Sequence, residues 1–167
     1  MHKTNENKKV LSDEQIYAKL AKYCAYQERC QKEVFEKLKQ LNVFGIKAEA
    51  VVARLISENY LNEERFAIAF ACGKNRVKGW GHIKIVNHLK QLNLSDKLIQ
   101  IAIKQLDNAE YQKKLNQIIE KKWPFYKSKF DFNIAKLKIT HFLISKGYNV
   151  DLVKESLMEF FNSQNEK

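Results

Sequence analysis

The histidines and serines of this sequence lack the spacing that catalysis or metal binding requires. His82, His88 and His141 form neither an H-E-x-x-H motif nor a His/Cys cluster with the spacing of a zinc site. There is no G-x-S-x-G nucleophile motif, and no pair of acidic residues has a local spacing that forces two carboxyl groups to share a proton. The sequence therefore predicts no metal, no cofactor and no catalytic site, and it favours an enzyme least among the function classes.

A glycine-rich tripeptide, Gly79-Trp80-Gly81, is the segment closest to a ligand-binding motif. It lacks the third glycine of a dinucleotide fingerprint and the Gly-Lys-Ser/Thr of a phosphate-binding loop. We predict instead that its glycines link two helices, and that Gly73 could kink the first of them. Trp80, beside Lys78 and His82, could stack on a nucleic-acid base or enter a pocket of a partner. Packing of this ring on its own helical unit is the interpretation that we favour.

The composition is that of a globular, helical protein. Hydrophobic residues make up 45% of the 167 residues, whereas 5 glycines and 1 proline are too few for an all-β fold, which needs frequent turn residues. No apolar stretch could span a bilayer and no signal-like apolar segment occurs near residue 1, so we expect a cytoplasmic protein with no membrane partner. Cys24, Cys30 and Cys72 contain no C-x-x-C pair, and we interpret them as reduced core residues.

The net charge of +11 is concentrated in two stretches of the chain. The stretch from Arg65 to Ser95 contains basic residues and no acidic one, and between Tyr111 and Phe130 only Glu120 opposes the lysines. Lysine-rich helix faces are often only solvated, but two such stretches in tandem favour a polyanionic or filamentous partner. Contacts to phosphate groups would be independent of nucleic-acid sequence and sensitive to salt.

A recurring pentapeptide indicates a repeated helical unit. Leu38-Lys39-Gln40-Leu41-Asn42 reappears without change as Leu89-Lys90-Gln91-Leu92-Asn93, and Leu143-Ile144-Ser145-Lys146-Gly147 is a fainter third copy. The last residue of each copy, Asn or Gly, accepts the left-handed backbone conformation that commonly follows the end of a helix. Another helix with an apolar face follows each copy, so we predict tandem three-helix repeats.

The predicted fold is all-α, with three tandem three-helix repeats and no strand. Ser12 and Gln15 form a capping box for the first helix, and Pro124 predicts a break or kink in the first helix of the third repeat. The predicted division is a polar N-terminal tail at 1–11, repeat 1 at 12–60, repeat 2 at 61–107, repeat 3 at 108–163 and a C-terminal tail at 164–167.

Three segments of the sequence resemble the bacterial RecX family of regulatory proteins. They are Tyr60-Leu61-Asn62-Glu63-Glu64-Arg65-Phe66-Ala67, Gly79-Trp80-Gly81 and Leu89-Lys90-Gln91-Leu92-Asn93. The family has an aromatic-Leu-Asp-Asp-Glu-Arg-Phe-Ala segment at the start of its middle repeat, then a Gly-x-Gly, and a Leu-x-x-Arg-Gly-Phe that ends a helix of the last repeat. The resemblance covers about Ile16 to Phe161.

The departures from the family pattern are chemically mild. Asn62-Glu63 replaces the paired Asp but keeps a capping residue and an acid, and Lys146-Gly147-Tyr148 replaces Arg-Gly-Phe but keeps the positive charge. Cys30 stands where the first repeat often has a capping Ser, and we expect it to cap its helix less well than Ser would.

The resemblance implies an elongated, curved array of three three-helix repeats and a function as a modulator of RecA. Such proteins bind within the groove of the RecA filament on DNA and mostly inhibit its recombinase, ATPase and co-protease activities. That function belongs to the regulation of DNA repair, homologous recombination and the SOS response. The resemblance implies no catalysis and no cofactor, and it implies the RecA filament, with single- or double-stranded DNA, as partner. We expect a monomer.

Our candidates for filament or DNA contact come from the placement of charged and aromatic residues. They are Arg65, Lys74, Arg76, Lys78, Trp80 and Lys84 in repeat 2, with Lys121, Lys122 and Lys127 in repeat 3. Four apolar residues are assigned to the core instead, namely Phe66, Phe70, Leu89 and Leu92.

Two other function classes stay open at this point. A general nucleic-acid-binding protein would bind bare DNA with a steep salt dependence, whether or not RecA is present. A helical-repeat adaptor for an unrelated protein would neither bind DNA nor affect RecA.

Overall fold

The computed structural model describes residues 11–165, and within that range all regular secondary structure is α-helical. The prediction of an all-α fold is therefore confirmed. The helices described are α1 (Asp13–Tyr26), α2 (Gln31–Gln40), α3 (Gly45–Ser57), α4 (Glu63–Lys78), α5 (His82–Gln91), α6 (Asp96–Lys104), α7 (Asn108–Lys127), α8 (Phe132–Ser145) and α9 (Val150–Asn165).

Short polar side chains set the starts of several helices. The predicted capping box of α1 is present, because Gln15 N–H donates to the Ser12 hydroxyl while Ser12 N–H donates to the Gln15 side chain. Asp131 accepts two backbone N–H groups at the start of α8, and Asn149 accepts the Asp151 N–H at the start of α9. These bonds satisfy donors that the first turn of a helix leaves without a partner.

The three copies of the pentapeptide end α2, α5 and α8 in the same way. Asn42, Asn93 and Gly147 have φ values of 58°, 64° and 91°, which confirms the predicted left-handed residue in each copy. The N–H of the next residue donates back to the first leucine of the copy, at 3.0 Å for Val43 to Leu38, 3.2 Å for Leu94 to Leu89 and 3.3 Å for Tyr148 to Leu143. All six of these side chains are buried, so one local motif both stops the helix and returns the chain to the core.

The described residues divide into two compact units, with the boundary between Glu63 and Glu64. In the first unit α1, α2 and α3 pack around fully buried Leu20, Leu38 and Leu55. The guanidinium of Arg54 lies 3.7 Å from the centre of the Tyr17 ring, and the Tyr17 hydroxyl donates to Glu58. This unit is nearly balanced in charge, with 11 Lys and Arg against 9 Asp and Glu.

The second unit contains α4 to α9 and holds most of the excess charge, with 19 Lys and Arg against 10 Asp and Glu. Helices α7, α8 and α9 pack around buried Leu115, Ile139 and Leu157, and α5 packs against α6. Of the residues assigned to the core, Phe66 and Leu89 are buried, whereas Phe70 and Leu92 are half-buried. The division into three repeats stays a prediction, with which the order of the described helices is consistent. The elongated, curved arrangement also stays a prediction.

The predicted break at Pro124 is wrong, because α7 continues through this residue to Lys127. Proline has no backbone N–H to donate to the carbonyl group of the preceding turn. Because Pro124 lies in the last turn of α7, the loss of this one hydrogen bond does not end the helix. The preceding Trp123 is buried and its ring centre lies 4.7 Å from that of Phe161 on α9. Tertiary packing of the indole therefore holds the last turn in the helical conformation.

We expect the stability of the protein to depend on which residue occupies position 93, because the backbone there is left-handed. Asn93→Ala places an alanine in the left-handed region and should lower the free energy of unfolding by about 1 kcal/mol, whereas Asn93→Gly should be tolerated. Urea unfolding followed by circular dichroism measures both. Asn87→Ala is the matched control: Asn87 is exposed within α5, so the change should stabilise by up to about 0.5 kcal/mol. Equal effects at the two positions would contradict the role given to Asn93.

Candidate polyanion-binding groove

The two glycines of Gly79-Trp80-Gly81 join α4 to α5, as predicted, and they also allow close approach to other helices. Gly79 has a φ of 62°, and a Cβ there would lie 2.6 Å from Cδ1 of Ile118 on α7. A Cβ on Gly81 would overlap the carbonyl group of Gly147, which follows α8. Gly73 differs, since it lies within α4 and a Cβ there would meet nothing within 4 Å.

Two backbone hydrogen bonds join the start of α5 to the end of α8. Gly81 N–H donates to the Lys146 carbonyl at 2.8 Å, and Ile83 N–H donates to the Gly147 carbonyl at 3.0 Å. We call this pairing of residues 79–84 with residues 145–148 the glycine contact. A side chain at either Gly81 or Gly147 would separate the two backbones, because Gly147 in turn lies against the backbone of Lys84.

Two lysines cross the glycine contact in opposite directions. The Lys84 ammonium donates to the carbonyl of Ser145, the last residue of α8, at 3.2 Å. The Lys146 ammonium donates to the carbonyl of Lys78, the last residue of α4, also at 3.2 Å. Each cation thus lies at the C-terminal end of a helix, where carbonyl groups lack intrahelical partners and the helix dipole favours positive charge.

His82, within the glycine contact, forms an aromatic pair with Tyr111 of α7. The ring centres of His82 and Tyr111 lie 4.0 Å apart in a stacked arrangement, and His82 N–H donates to the Tyr111 hydroxyl at 3.1 Å. Burial lowers the pKa of His82 below its usual range. The ring therefore acts as a neutral packing surface near pH 7.

A groove of about 380 Å³ lies beside the glycine contact, between the end of α4, the middle of α7 and the end of α8. Apolar atoms of Val77, Ile118 and Phe142 form part of its wall. Five lysines line it, and no acidic residue is among the described residues that do so. We call it the lysine groove, after Lys78, Lys114, Lys121, Lys122 and Lys146.

Burial and neighbouring positive charges both disfavour the charged form of Lys146. Burial lowers the pKa of the Lys146 ammonium below its ordinary value. Three neighbouring ammonium groups lower this pKa further, those of Lys84, Lys122 and Lys78. Because these like charges repel one another, an anion bound in the groove would be attracted to the lysines and would also reduce their mutual repulsion.

The lysine groove contains three of the predicted contact residues and two that the prediction did not select. Lys78, Lys121 and Lys122 come together there. Lys114 belongs to the second basic stretch of sequence, but nothing in that stretch marked it out from its neighbours. Lys146 was noted only as a replacement for Arg, and its place in the groove depends on the contact between α8 and α5.

Trp80 packs on its own helical unit, which is the interpretation that the sequence favoured. Its ring centre lies 6.3 Å from that of Phe70 and 5.6 Å from that of His88. The ammonium groups of Lys74 and Lys84 lie 5.3 Å and 5.1 Å from the ring centre. Three of the predicted residues therefore form a second cluster, in which the indole holds two cations near the groove.

The remaining candidates lie outside both clusters. Arg65 is in the first turn of α4, about 20 Å along the helix axis from Lys78. Arg76 is exposed in the last turn of α4, and Lys127 is the exposed last residue of α7. Contact of these three residues with a filament or with DNA stays a prediction.

Within residues 11–165, no helix is long and apolar enough to cross a membrane. The same residues contain no group of three or more His, Cys, Asp or Glu side chains placed to hold a metal ion.

Comparisons with known proteins agree with the resemblance. A family model described as RecX, second three-helix domain, matches residues 62–103. The chain is 31% identical over 134 residues to a regulatory protein RecX of Streptococcus uberis, covering 79% of this chain and 50% of that protein. It is 25% identical over 161 residues to a regulatory protein RecX of Bacillus mycoides, covering 95% of this chain and 59% of that protein.

The comparisons support a RecX-family protein. It spans between 50% and 59% of the length of these two curated relatives. Its fold matches the crystal structure of RecX from Lactobacillus salivarius with a TM-score of 0.75 and 22% identity, over 88% of this chain and 95% of that one. A second crystal structure of regulatory protein RecX matches with a TM-score of 0.76 and 17% identity, over 86% of this chain and 71% of that one.

The structure brings together the Gly-x-Gly segment of the family pattern and the segment that replaces the family's Arg-Gly-Phe. Gly79-Trp80-Gly81 and Lys146-Gly147-Tyr148 are far apart in sequence, but they form the two sides of the glycine contact. Gly is required on both sides for steric reasons, and a long cation at position 146 reaches the end of α4. One contact therefore explains why these residue types occur in both segments.

Charge reversal in the lysine groove should weaken polyanion binding and reduce its salt dependence. The variant Lys78→Glu/Lys121→Glu/Lys122→Glu removes up to three phosphate contacts, so the slope of log K against log salt should become shallower by up to about 2.7. Fluorescence anisotropy with a labelled DNA duplex over a salt series measures this slope. The control Lys97→Glu/Lys104→Glu/Lys154→Glu changes the net charge equally at exposed positions outside the groove. The same loss in both variants would show that net charge, and not the groove, governs binding.

Proposed function

We propose that this RecX-family chain binds the RecA filament on DNA and modulates, mostly by inhibition, its recombinase, ATPase and co-protease activities. The RecA part of the proposal comes from the family, whose curated members that match this chain are named regulatory proteins. The observation that carries its physical part is the lysine groove, where five cations face one open cleft. Such a role lies in the regulation of DNA repair and places the protein in the cytoplasm.

The groove has the chemistry for a partner with closely spaced negative charges. Ammonium groups bind phosphate oxygens as point charges and need no base-specific geometry. Lys114 lies two turns before the adjacent Lys121 and Lys122 on α7, so the three side chains can contact phosphates or carboxylates spaced along the helix. A filament of RecA on DNA offers both types of anion in a regular array.

The position of the charge also favours a filament over a small ligand. The second unit carries the groove and the Trp80 cluster, and the first unit is nearly neutral. A protein that contacts successive subunits through several modest interactions gains affinity from their combination. The nearly neutral first unit could then contact RecA subunits of the filament, which bare DNA does not offer.

The direct test is ATP hydrolysis by the cognate RecA on single-stranded DNA, titrated with the full chain at near-physiological salt. We expect inhibition at protein amounts well below those that coat the DNA, with a weaker effect from the groove variant than from its charge-matched control. Binding to bare DNA is measured alongside.

Two outcomes of this titration would contradict the proposal. Salt-sensitive binding to bare DNA with no effect on RecA would identify a general nucleic-acid-binding protein, for which the groove would be sufficient. Absence of both activities would indicate an adaptor for an unrelated protein.

A further inference from the structure

Three phenylalanines are exposed around the turn between α7 and α8. Phe125, Phe130 and Phe132 are 51%, 37% and 53% exposed, although Trp123 in the same segment is buried. Burying an aromatic ring is strongly favourable, so three solvent-exposed rings within eight residues are unusual for a surface that contacts only water. We call these three residues the phenylalanine platform.

A lysine ammonium group lies near two of the three exposed rings. The Lys129 ammonium lies 4.4 Å from the centre of the Phe125 ring, and the Lys138 ammonium lies 4.6 Å from that of Phe130. These are cation–π distances. The platform therefore combines flat apolar rings with positive charge at the same place.

Negative charge is nearly absent around the platform. Between Glu120 and Asp151 the sequence contains seven lysines, and Asp131 is its single acid. The Asp131 carboxylate accepts the N–H groups of Asn133 and Ile134 at the start of α8, so it is engaged as a helix cap. The stretch of sequence that carries the platform therefore has an excess of positive charge.

We propose that the phenylalanine platform stacks the unpaired bases of single-stranded nucleic acid, with Lys129 and Lys138 holding the adjacent phosphates. Single strands present both a flat apolar face and a regular negative charge, and the platform complements both. In a duplex the bases already stack on one another, so the rings would have no free face to contact. An apolar protein surface would match the rings, but it would leave the lysines without partners, and lysine is depleted at the centres of protein interfaces.

Phe125 connects the platform to the lysine groove, because it lies on α7 beside two lysines of the groove. Lys121 and Lys122 of the groove lie four and three residues before Phe125, which are spacings that place side chains next to each other on a helix surface. A strand whose phosphates occupy the groove can therefore extend its next bases onto the platform. The inference concerns bare single strands and goes beyond the proposed function, because it requires no RecA.

The test measures binding of the full chain to a labelled oligothymidine and to a blunt duplex of equal length, without RecA. Phe125→Ala/Phe130→Ala should weaken oligothymidine binding about tenfold or more and leave duplex binding within about twofold, because stacking on unpaired bases is lost. The salt slope for oligothymidine should stay unchanged, since no charge is removed. In contrast, Lys129→Gln/Lys138→Gln should make that slope shallower.

Two controls separate stacking from folding. Phe44→Ala removes a ring that is 59% exposed in the first unit, and it should leave oligothymidine binding unchanged. Phe125→Trp/Phe130→Trp keeps aromatic faces and should restore affinity. Phe132 is left intact because its ring packs 5.7 Å from Trp123 and 5.2 Å from Phe161, centre to centre. Thermal unfolding of each variant checks that the platform changes do not unfold α7.

Three results would overturn the inference. Unchanged oligothymidine binding in Phe125→Ala/Phe130→Ala would remove the rings from the interface, and an equal loss for duplex would indicate a general effect on charge or folding. Loss of RecA inhibition with oligothymidine binding intact would identify the platform as a protein-docking surface. Stacking without any effect on RecA would leave this inference in place and contradict the proposed function alone.

Discussion

The close approach of two backbones at Gly81 and Gly147 is the constraint on which the second unit depends. Without a Cβ on either residue, the start of α5 and the end of α8 come near enough to exchange two backbone hydrogen bonds. This approach brings Lys84 to the carbonyl end of α8 and Lys146 to the carbonyl end of α4. A steric property of glycine thus determines where the ammonium groups of Lys84 and Lys146 are held.

The same contact creates the electrostatic feature that the proposed function uses. Lys146 is held near Lys78 and Lys122, and burial together with these charges disfavours its protonated form. These like charges repel one another in the free protein, and a bound polyanion would reduce that repulsion. The affinity of the lysine groove is therefore linked to a contact between two backbone segments, which positions Lys146 in the groove.

Local features of this fold could be predicted from sequence, whereas the site depended on distant contacts. Asn42 and Asn93 were identified as left-handed residues because the motif that ends a helix involves only neighbouring residues. The predicted break at Pro124 was wrong because the packing of a buried indole outweighed a local preference. Lys146 was missed for a similar reason: its groove is assembled from three helices, and a count of charges along the sequence cannot bring them together.

The central claim is that the glycine contact builds the lysine groove, and Gly81→Ala tests it most directly because that variant keeps every lysine. The measurement is the salt dependence of DNA binding for Gly81→Ala, with Gly73→Ala as control, since the latter adds the same methyl group where nothing lies within 4 Å. The account predicts that Gly81→Ala binds DNA more weakly and with a shallower salt slope, while its circular dichroism spectrum still shows a helical protein. Gly73→Ala should change neither the affinity nor the slope. Wild-type affinity and slope in Gly81→Ala would contradict it.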